Sequence, residues 1–248
     1  MSTPWIIAHR GASGICPENT MEAFWTAIVA GADIIEFDLQ LTADNEIVVF
    51  HDRTVDRVFN RKLGNTIKDY ALKGLQEQDV GSWFDPAYSW VRIPTLHEVL
   101  EKLPKETSMI IELKSPDPRL GTDLLNMLDD TKKSLGTGYI SVRDVTTYNS
   151  VRDASSQHRL GLMQKQRAPI ELLNLLEEEG IQIVQVRWQH WQNSEWIKLK
   201  ESKALITAYY ADYPSEYDFL CQKEIDGILT NYPSRLASYL IQSKHENK

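Results

Sequence analysis

Two cysteines in 248 residues, Cys16 and Cys221, leave this chain without a disulfide framework, and neither has a second Cys or a His at metal-ligand spacing. Nor does any apolar run approach the roughly 20 residues that a membrane-spanning helix needs, so no stable membrane insertion is expected. The opening Met1-Ser-Thr-Pro-Trp5 carries no basic stretch ahead of an apolar one. No secretory signal is expected from it, and a cytoplasmic location is. Basic charge is scarce as well: 27 Lys and Arg stand against 35 Asp and Glu, and the net charge of −8 argues against a nucleic-acid partner. The same surplus repels phosphate esters at long range, so a phosphate site here has to carry its own local cations. No Gly-x-Gly-x-x-Gly follows the first apolar run, which removes the dinucleotide-binding fingerprint.

Strand-like and helix-like segments alternate from end to end. Trp5-Ile-Ile-Ala8 reads as a buried strand, and Thr20 to Val29 as a helix closed by Gly31. A strand over 33–39 follows, with a second short run at 46–50 after the turn signal Ala-Asp-Asn. Residues from about 54 to 92 carry Gly64, Gly81 and Pro86 and read as an irregular insertion. Pro94-Thr95 then opens a helix to Leu103. From there strands at 108–113, 138–142, 159–163, 181–187, 204–209 and 226–230 alternate with helices at about 119–135, 145–155, 169–179, 193–202, 214–223 and 232–242. Lys244 to Lys248 are expected to fray. Eight strands alternating with eight helices in roughly 250 residues predict a single α/β domain over 1–248, a (β/α)8 (TIM) barrel with a small insertion after the second strand.

Ionisable residues gather where these strands end. Glu36 and Asp38, one residue apart on a strand, project to the same side, and Glu112 closes the third core strand. Three convergent carboxylates without Cys suit a hard divalent cation, Mg²⁺ or Ca²⁺; ion pairing with Arg or Lys in the barrel mouth is the plainer alternative. His9 and His51 close the two earliest motif strands, which suits a pair of imidazoles for general acid–base catalysis. Zinc ligation would call for His-x-His at the first strand, and position 11 is Gly. Arg10 and Lys114 supply phosphate-binding charge, Arg as a bidentate fork and Lys as a point charge. Glu18 and Asn19 are expected to fix the first loop, with Asn19 capping the first helix.

Taken together, His9-Arg10-Gly11, Pro17-Glu-Asn-Thr20, Glu36-Phe-Asp38, His51-Asp52 with Arg57, Pro94-Thr-Leu96, Glu112-Leu-Lys114 and Asp226-Gly-Ile-Leu-Thr-Asn-Tyr-Pro233 resemble the glycerophosphodiester phosphodiesterase family. The resemblance implies a barrel, a divalent metal held by Glu36, Asp38 and Glu112, catalytic roles for His9 and His51, and phosphate contacts from Arg10 and Lys114. It also implies a small-molecule glycerophosphodiester substrate, cleaved to glycerol phosphate and an alcohol through a cyclic phosphate.

The second half departs from the family pattern. Val142-Arg143 stands where the family usually has Ser-Phe, and Ala208-Tyr-Tyr-Ala211 where it has Trp-Thr-Val-Asn. Trp188, Trp191, Tyr209 and Tyr210 are therefore candidates for a rebuilt aromatic wall, with Tyr209 taken as substrate-binding, and Arg143 for contact with a charged leaving group. Two alternatives stand beside hydrolysis of soluble diesters. One is a lipid phosphodiesterase of phospholipase D-like or phosphoinositide-cleaving type, which an exposed Trp83-Phe84 would support as a membrane foothold. The other is a non-catalytic relative that binds a phosphate ligand.

Overall fold

A computed structural model describes residues 3–115, 117–155 and 157–246 of the chain. The strands are β1 (Trp5–His9), β2 (Ile34–Leu41), β3 (Ile47–Val49), β4 (Ser108–Leu113), β5 (Tyr139–Val142), β6 (Leu160–Met163), β7 (Ile183–Val186), β8 (Leu205–Ala208) and β9 (Gly227–Thr230). All but β3 pair in parallel around a closed ring, β1 lying between β2 and β9. The short β3 runs antiparallel to the end of β2, so the expected barrel carries one extra edge strand where the chain turns toward the insertion.

Helices α1 (Met21–Val29), α2 (Leu72–Gln76), α3 (Leu96–Lys102), α4 (Pro118–Thr131), α5 (Val145–Ala154), α6 (Pro169–Glu179), α7 (Asn193–Glu201), α8 (Pro214–Gln222) and α9 (Pro233–Glu246) account for the crossovers, with α2 inside the insertion. The expected fraying from Lys244 does not extend to the backbone through Glu246, which is helical; Asn247 and Lys248 lie outside the described residues. Helix starts follow cap chemistry. Thr95 accepts from the Glu98 amide while Glu98 reaches back to the Thr95 amide, and Pro stands at the first turn of α4, α6 and α8.

Strand residues alternate between two cores. Ile35, Phe37, Ile111, Val142, Val184 and Ala208 face outward and pack into the layer shared with the helices. Ile7, Ile34, Ile110, Tyr139, Ile183 and Leu229 form a separate cluster inside the barrel. Because side chains repeat every second residue, the inward positions one step beyond that cluster are His9, Glu36, Glu112, Ser141, Gln185 and Asn231. An apolar plug thus ends in a polar layer at the C-terminal mouth.

The insertion is more ordered than expected. Val55, Val58, Phe59, Ile67, Leu75, Val80, Val91 and Ile93 make a small core of their own with Val48 and Phe50. Trp83 and Phe84, whose exposure would have supported a membrane foothold, are both half-buried. Trp83 packs on that small core, donates Nε1–H to the Val80 carbonyl, and lies under the Arg57 guanidinium at 4.4 Å.

Candidate active site

The barrel register brings the acids together. His9 is the neighbour of Glu36 across β1 and β2, and Asp38 is the neighbour of Glu112 across β2 and β4. One oxygen from each of Glu36, Asp38 and Glu112 lies within 4.8 Å of the others, and all three side chains are buried. Lys114 Nζ bridges two of them, 2.8 Å from Asp38 Oδ1 and 2.6 Å from Glu112 Oε1. Arg143 Nε reaches the same Glu112 oxygen at 2.5 Å, and Arg10 Nε lies 3.4 Å from Asp38 Oδ2. Burial would raise Asp38, but Lys114 and Arg10 outweigh it and hold the carboxyl well below the usual range. Glu36 has no cation partner among the described residues and accepts only the Arg10 backbone N–H, at 2.8 Å. Burial, with the charges of Asp38 and Glu112 beside it, pushes its carboxyl well above the usual range.

Backbone geometry aims this cluster. Arg10 and Gly11 both sit at positive φ, 56° and 79°, which turns the chain sharply off β1 and points the Arg10 amide at Glu36. A side chain at Gly11 would meet the Ala23 carbonyl carbon at 2.6 Å, so only glycine fits. Asn19, also at positive φ, does not cap α1. Thr20 does, accepting from the Ala23 amide. The Asn19 amide instead donates to Asp38 Oδ2 at 2.8 Å and accepts from the Asp38 amide, tying the first loop to the acidic cluster.

The two imidazoles sit in different surroundings. His9 Nδ1 lies 2.8 Å from Asn231 Oδ1, and Asn231 in turn donates Nδ2–H to Asp212 Oδ2 at 2.6 Å. With the amide nitrogen committed to a carboxylate, its oxygen faces His9, so the proton is on Nδ1 and Nε2 is left as a base. Burial and the Arg10 charge lower the His9 pKa to about 3, which keeps the ring neutral. Tyr210 stacks on it at 5.2 Å. His51 Nδ1 instead meets Asp52 Oδ1 at 2.8 Å, and Asp52 is braced by Arg57 Nε at 2.6 Å. Burial opposes ionisation of Asp52, but hydrogen bonds from His51 and Arg57 hold it in the carboxylate form. Arg57 also reaches Glu18, which pairs with Arg10, so the loops after β1 and β3 are stapled by one chain of charges.

A cavity of about 250 Å³ opens over this layer, lined by His9, Arg10, Glu36, His51, Glu112 and Lys114, with Tyr209 and Tyr210 on its wall. The family model for the glycerophosphoryl diester phosphodiesterase family matches residues 9–235. A Bacillus subtilis glycerophosphodiester phosphodiesterase is 31% identical over 245 residues, 92% of this chain and 83% of that protein. The chain belongs to the glycerophosphoryl diester phosphodiesterase family. Other curated relatives match over a shorter stretch: the Bacillus subtilis protein YhdW is 49% identical over 119 residues, and that match spans 48% of each protein. The chain thus matches about half the length of YhdW. Among solved structures, an Oleispira antarctica phosphodiesterase in complex with the product sn-glycerol-3-phosphate superposes with a TM-score of 0.86 at 22% identity, covering 96% of both chains. At that identity the likeness shows a shared fold.

Within this family frame the structure gathers His9, His51, Arg10, Lys114, Tyr209, Glu36 and Glu112 around one cavity, with Asp38 buried beneath it. The ion pairing weighed against a metal is present too, since Lys114, Arg10 and Arg143 all reach the carboxylates. The aromatic wall is narrower than expected. Trp191 is buried in the outer core and Trp188 packs on Phe219, because both leave β7 on the helix side, so only Tyr209 and Tyr210 face the cavity. Sequence reasoning missed Asn231 and Asp212 as the support for His9. Asn231 was visible as part of the last-strand motif, while Asp212 lies in a loop with no periodicity to mark it. It also missed Lys165 and Arg187, which stand just past the ends of β6 and β7 and line the cavity.

Proposed function

We propose that this chain hydrolyses small glycerophosphodiesters to glycerol phosphate and an alcohol, with a divalent cation held by Glu36, Asp38 and Glu112. The observation that carries the reading is Glu36, a buried carboxylate that makes no ion pair among the described residues and stands beside two others, under a cavity bordered by His9 and His51. The donor set fits a hard ion: all ligand atoms are oxygens, and Asp38 Oδ1 is buried with no donor in hydrogen-bond geometry, its neighbour Lys114 being at 2.8 Å but off line. Mg²⁺ and Ca²⁺ both suit it. Such an ion would neutralise the charge that builds on the phosphate oxygens.

The chain's own groups divide the remaining work. Arg10 and Lys114 bind the non-bridging oxygens, Lys114 turning to them once its charge is no longer needed between Asp38 and Glu112. His9 Nε2 takes the proton from the glycerol hydroxyl adjacent to the phosphate, which attacks phosphorus. His51 gives a proton to the departing alcohol oxygen. Opening of the cyclic phosphate by water reverses the two proton transfers and yields glycerol phosphate. Tyr209 lines the part of the cavity that receives the glycerol or the alcohol. The proposal takes residues 1–248 as one catalytic domain. A cytoplasmic location fits two free cysteines, one buried and one half-buried; among the described residues no helix is long and apolar enough to cross a membrane. The lipid-cleaving alternative loses its foothold, since Trp83 and Phe84 are half-buried.

The test is release of glycerol phosphate from glycerophosphocholine, glycerophosphoethanolamine and related soluble diesters, with each metal and with chelator. Release that stops on chelation and returns with Mg²⁺ or Ca²⁺ supports the proposal. Full activity after exhaustive chelation rejects the metal site, and no release from any diester rejects the function.

A further inference from the structure

The cavity holds more positive charge than one phosphodiester requires. Two residues beyond the inward strand positions Glu112, Ser141, Met163 and Gln185, just past the ends of β4 to β7, stand Lys114, Arg143, Lys165 and Arg187. Four consecutive strands, β4 to β7, are thus each followed by a cation within two residues of their last residue, and all four side chains line the cavity. Register keeps them adjacent: Glu112 pairs with Ser141 across β4 and β5, and Met163 with Gln185 across β6 and β7. Lys114 and Arg143 lean on the acidic cluster. Lys165 and Arg187 do not, and neither makes an ion pair among the described residues, although the chain carries a net charge of −8. Both are exposed at the mouth of the cavity, where unpaired cations raise the local concentration of an anion.

We propose that the substrate carries a second anionic group, a carboxylate or a phosphate ester, on the part of the molecule that lies over the ends of β5, β6 and β7, where Arg143, Lys165 and Arg187 bind it. This rests on the phosphodiesterase reading and narrows its substrate class. Arg10 and Lys114 are occupied with the diester phosphate and Arg143 Nε with Glu112, so Lys165 and Arg187 have nothing to bind in a diester whose head group is neutral. A choline or ethanolamine head would set its own positive charge against theirs. Selectivity in this enzyme is thus set by charge on the second-half wall, where the sequence departs from its family, with Tyr209 and Tyr210 closing the remaining side.

The experiment compares kcat/KM for three glycerophosphodiesters that differ at the far end of one arm: carbamoylmethyl, its isosteric carboxymethyl counterpart, and phosphoethyl. The expected result is a preference of about tenfold or more for the charged esters over the neutral one, as for a site built around a polar contact. That preference should narrow between about 0.02 M and about 0.3 M salt as the charges are screened. The larger of the two anionic preferences tells carboxylate from phosphate. In Lys165→Gln/Arg187→Gln, and in Arg187→Gln alone if the double variant melts early, the anionic-to-neutral ratio should fall toward one. A wild-type ratio near one, or a ratio that the variants leave unchanged, overturns the inference while the diesterase activity stands. Absence of turnover on all three esters and on the standard diesters would instead take down the underlying function, and this inference with it.

Discussion

Removing the side chain that holds His9 in one tautomer tests the proposed proton path most directly. Asn231→Ala deletes the acceptor 2.8 Å from His9 Nδ1 and leaves the backbone amide that Asp212 also uses. The imidazole is half-buried, so an N–H left without a partner costs about 1–3 kcal/mol. The ring escapes that cost by moving the proton to Nε2, which consumes the lone pair that the proposed base needs. If 1.4–2.7 kcal/mol of the cost goes into this shift, the productive tautomer and kcat both fall by roughly 10–100-fold. KM should change little, because Asn231 is not among the residues lining the cavity. Steady-state kinetics supply the rates, and the ¹⁵N shifts of the His9 ring report the tautomer directly. Melting curves check that the variant is folded. A kcat within about twofold of wild type, with the ring still protonated at Nδ1, would refute the reasoning. So would a loss of metal affinity matching the loss of rate, which would make His9 a ligand.

Four further outcomes are expected. His51→Ala lowers kcat by roughly 10²–10⁴, the usual size of a general-acid contribution, with metal affinity nearly unchanged by titration calorimetry. Glu36→Gln raises the melting temperature in chelator at pH 8. Burial beside Asp38 and Glu112 raises the carboxyl's pKa, so its ionised form favours the unfolded chain and removing it favours the fold; a lower melting temperature would contradict the burial argument, and added Mg²⁺ should stabilise wild type but not the variant. Tyr209→Ala shifts the ratio of kcat/KM between diesters of different head groups by about 1–3 kcal/mol, and a uniform loss on all of them would leave the ring as packing. Asn19→Ala, which removes the amide holding Asp38 Oδ2, weakens metal binding by roughly tenfold in titrations, with the helix cap at Thr20 intact.

Much of this molecule could be read from local periodicity, because alternation along a strand and spacing along a helix are set by backbone geometry alone. The eight-fold rhythm was visible from the apolar runs and their turn residues. Glu36 and Asp38 share a face on any extended chain, and a histidine ending a buried strand has few places to go. Meeting across the sheet is a different matter. Which residues of β2 stand beside β4, and that Asp38 and Glu112 but not Glu36 make ion pairs among the described residues, follow from barrel register and closure rather than from any one segment. Asn231 reaches His9 across a separation of 222 residues, only because β9 closes against β1. The first loop offered Asn19 as the cap of α1; the left-handed turn at Asn19 aims its amide at Asp38 and leaves the cap to Thr20. Composition could not sort Trp191 from Tyr210 either, since both are aromatic residues just past a strand. Packing buried the first against the helices and stacked the second on His9. The sequence by itself determined which side chains face inward along each strand, since that is a property of the extended backbone. Only the closed barrel decided which of them meet, because hydrogen-bond register between strands distant in sequence is a tertiary quantity.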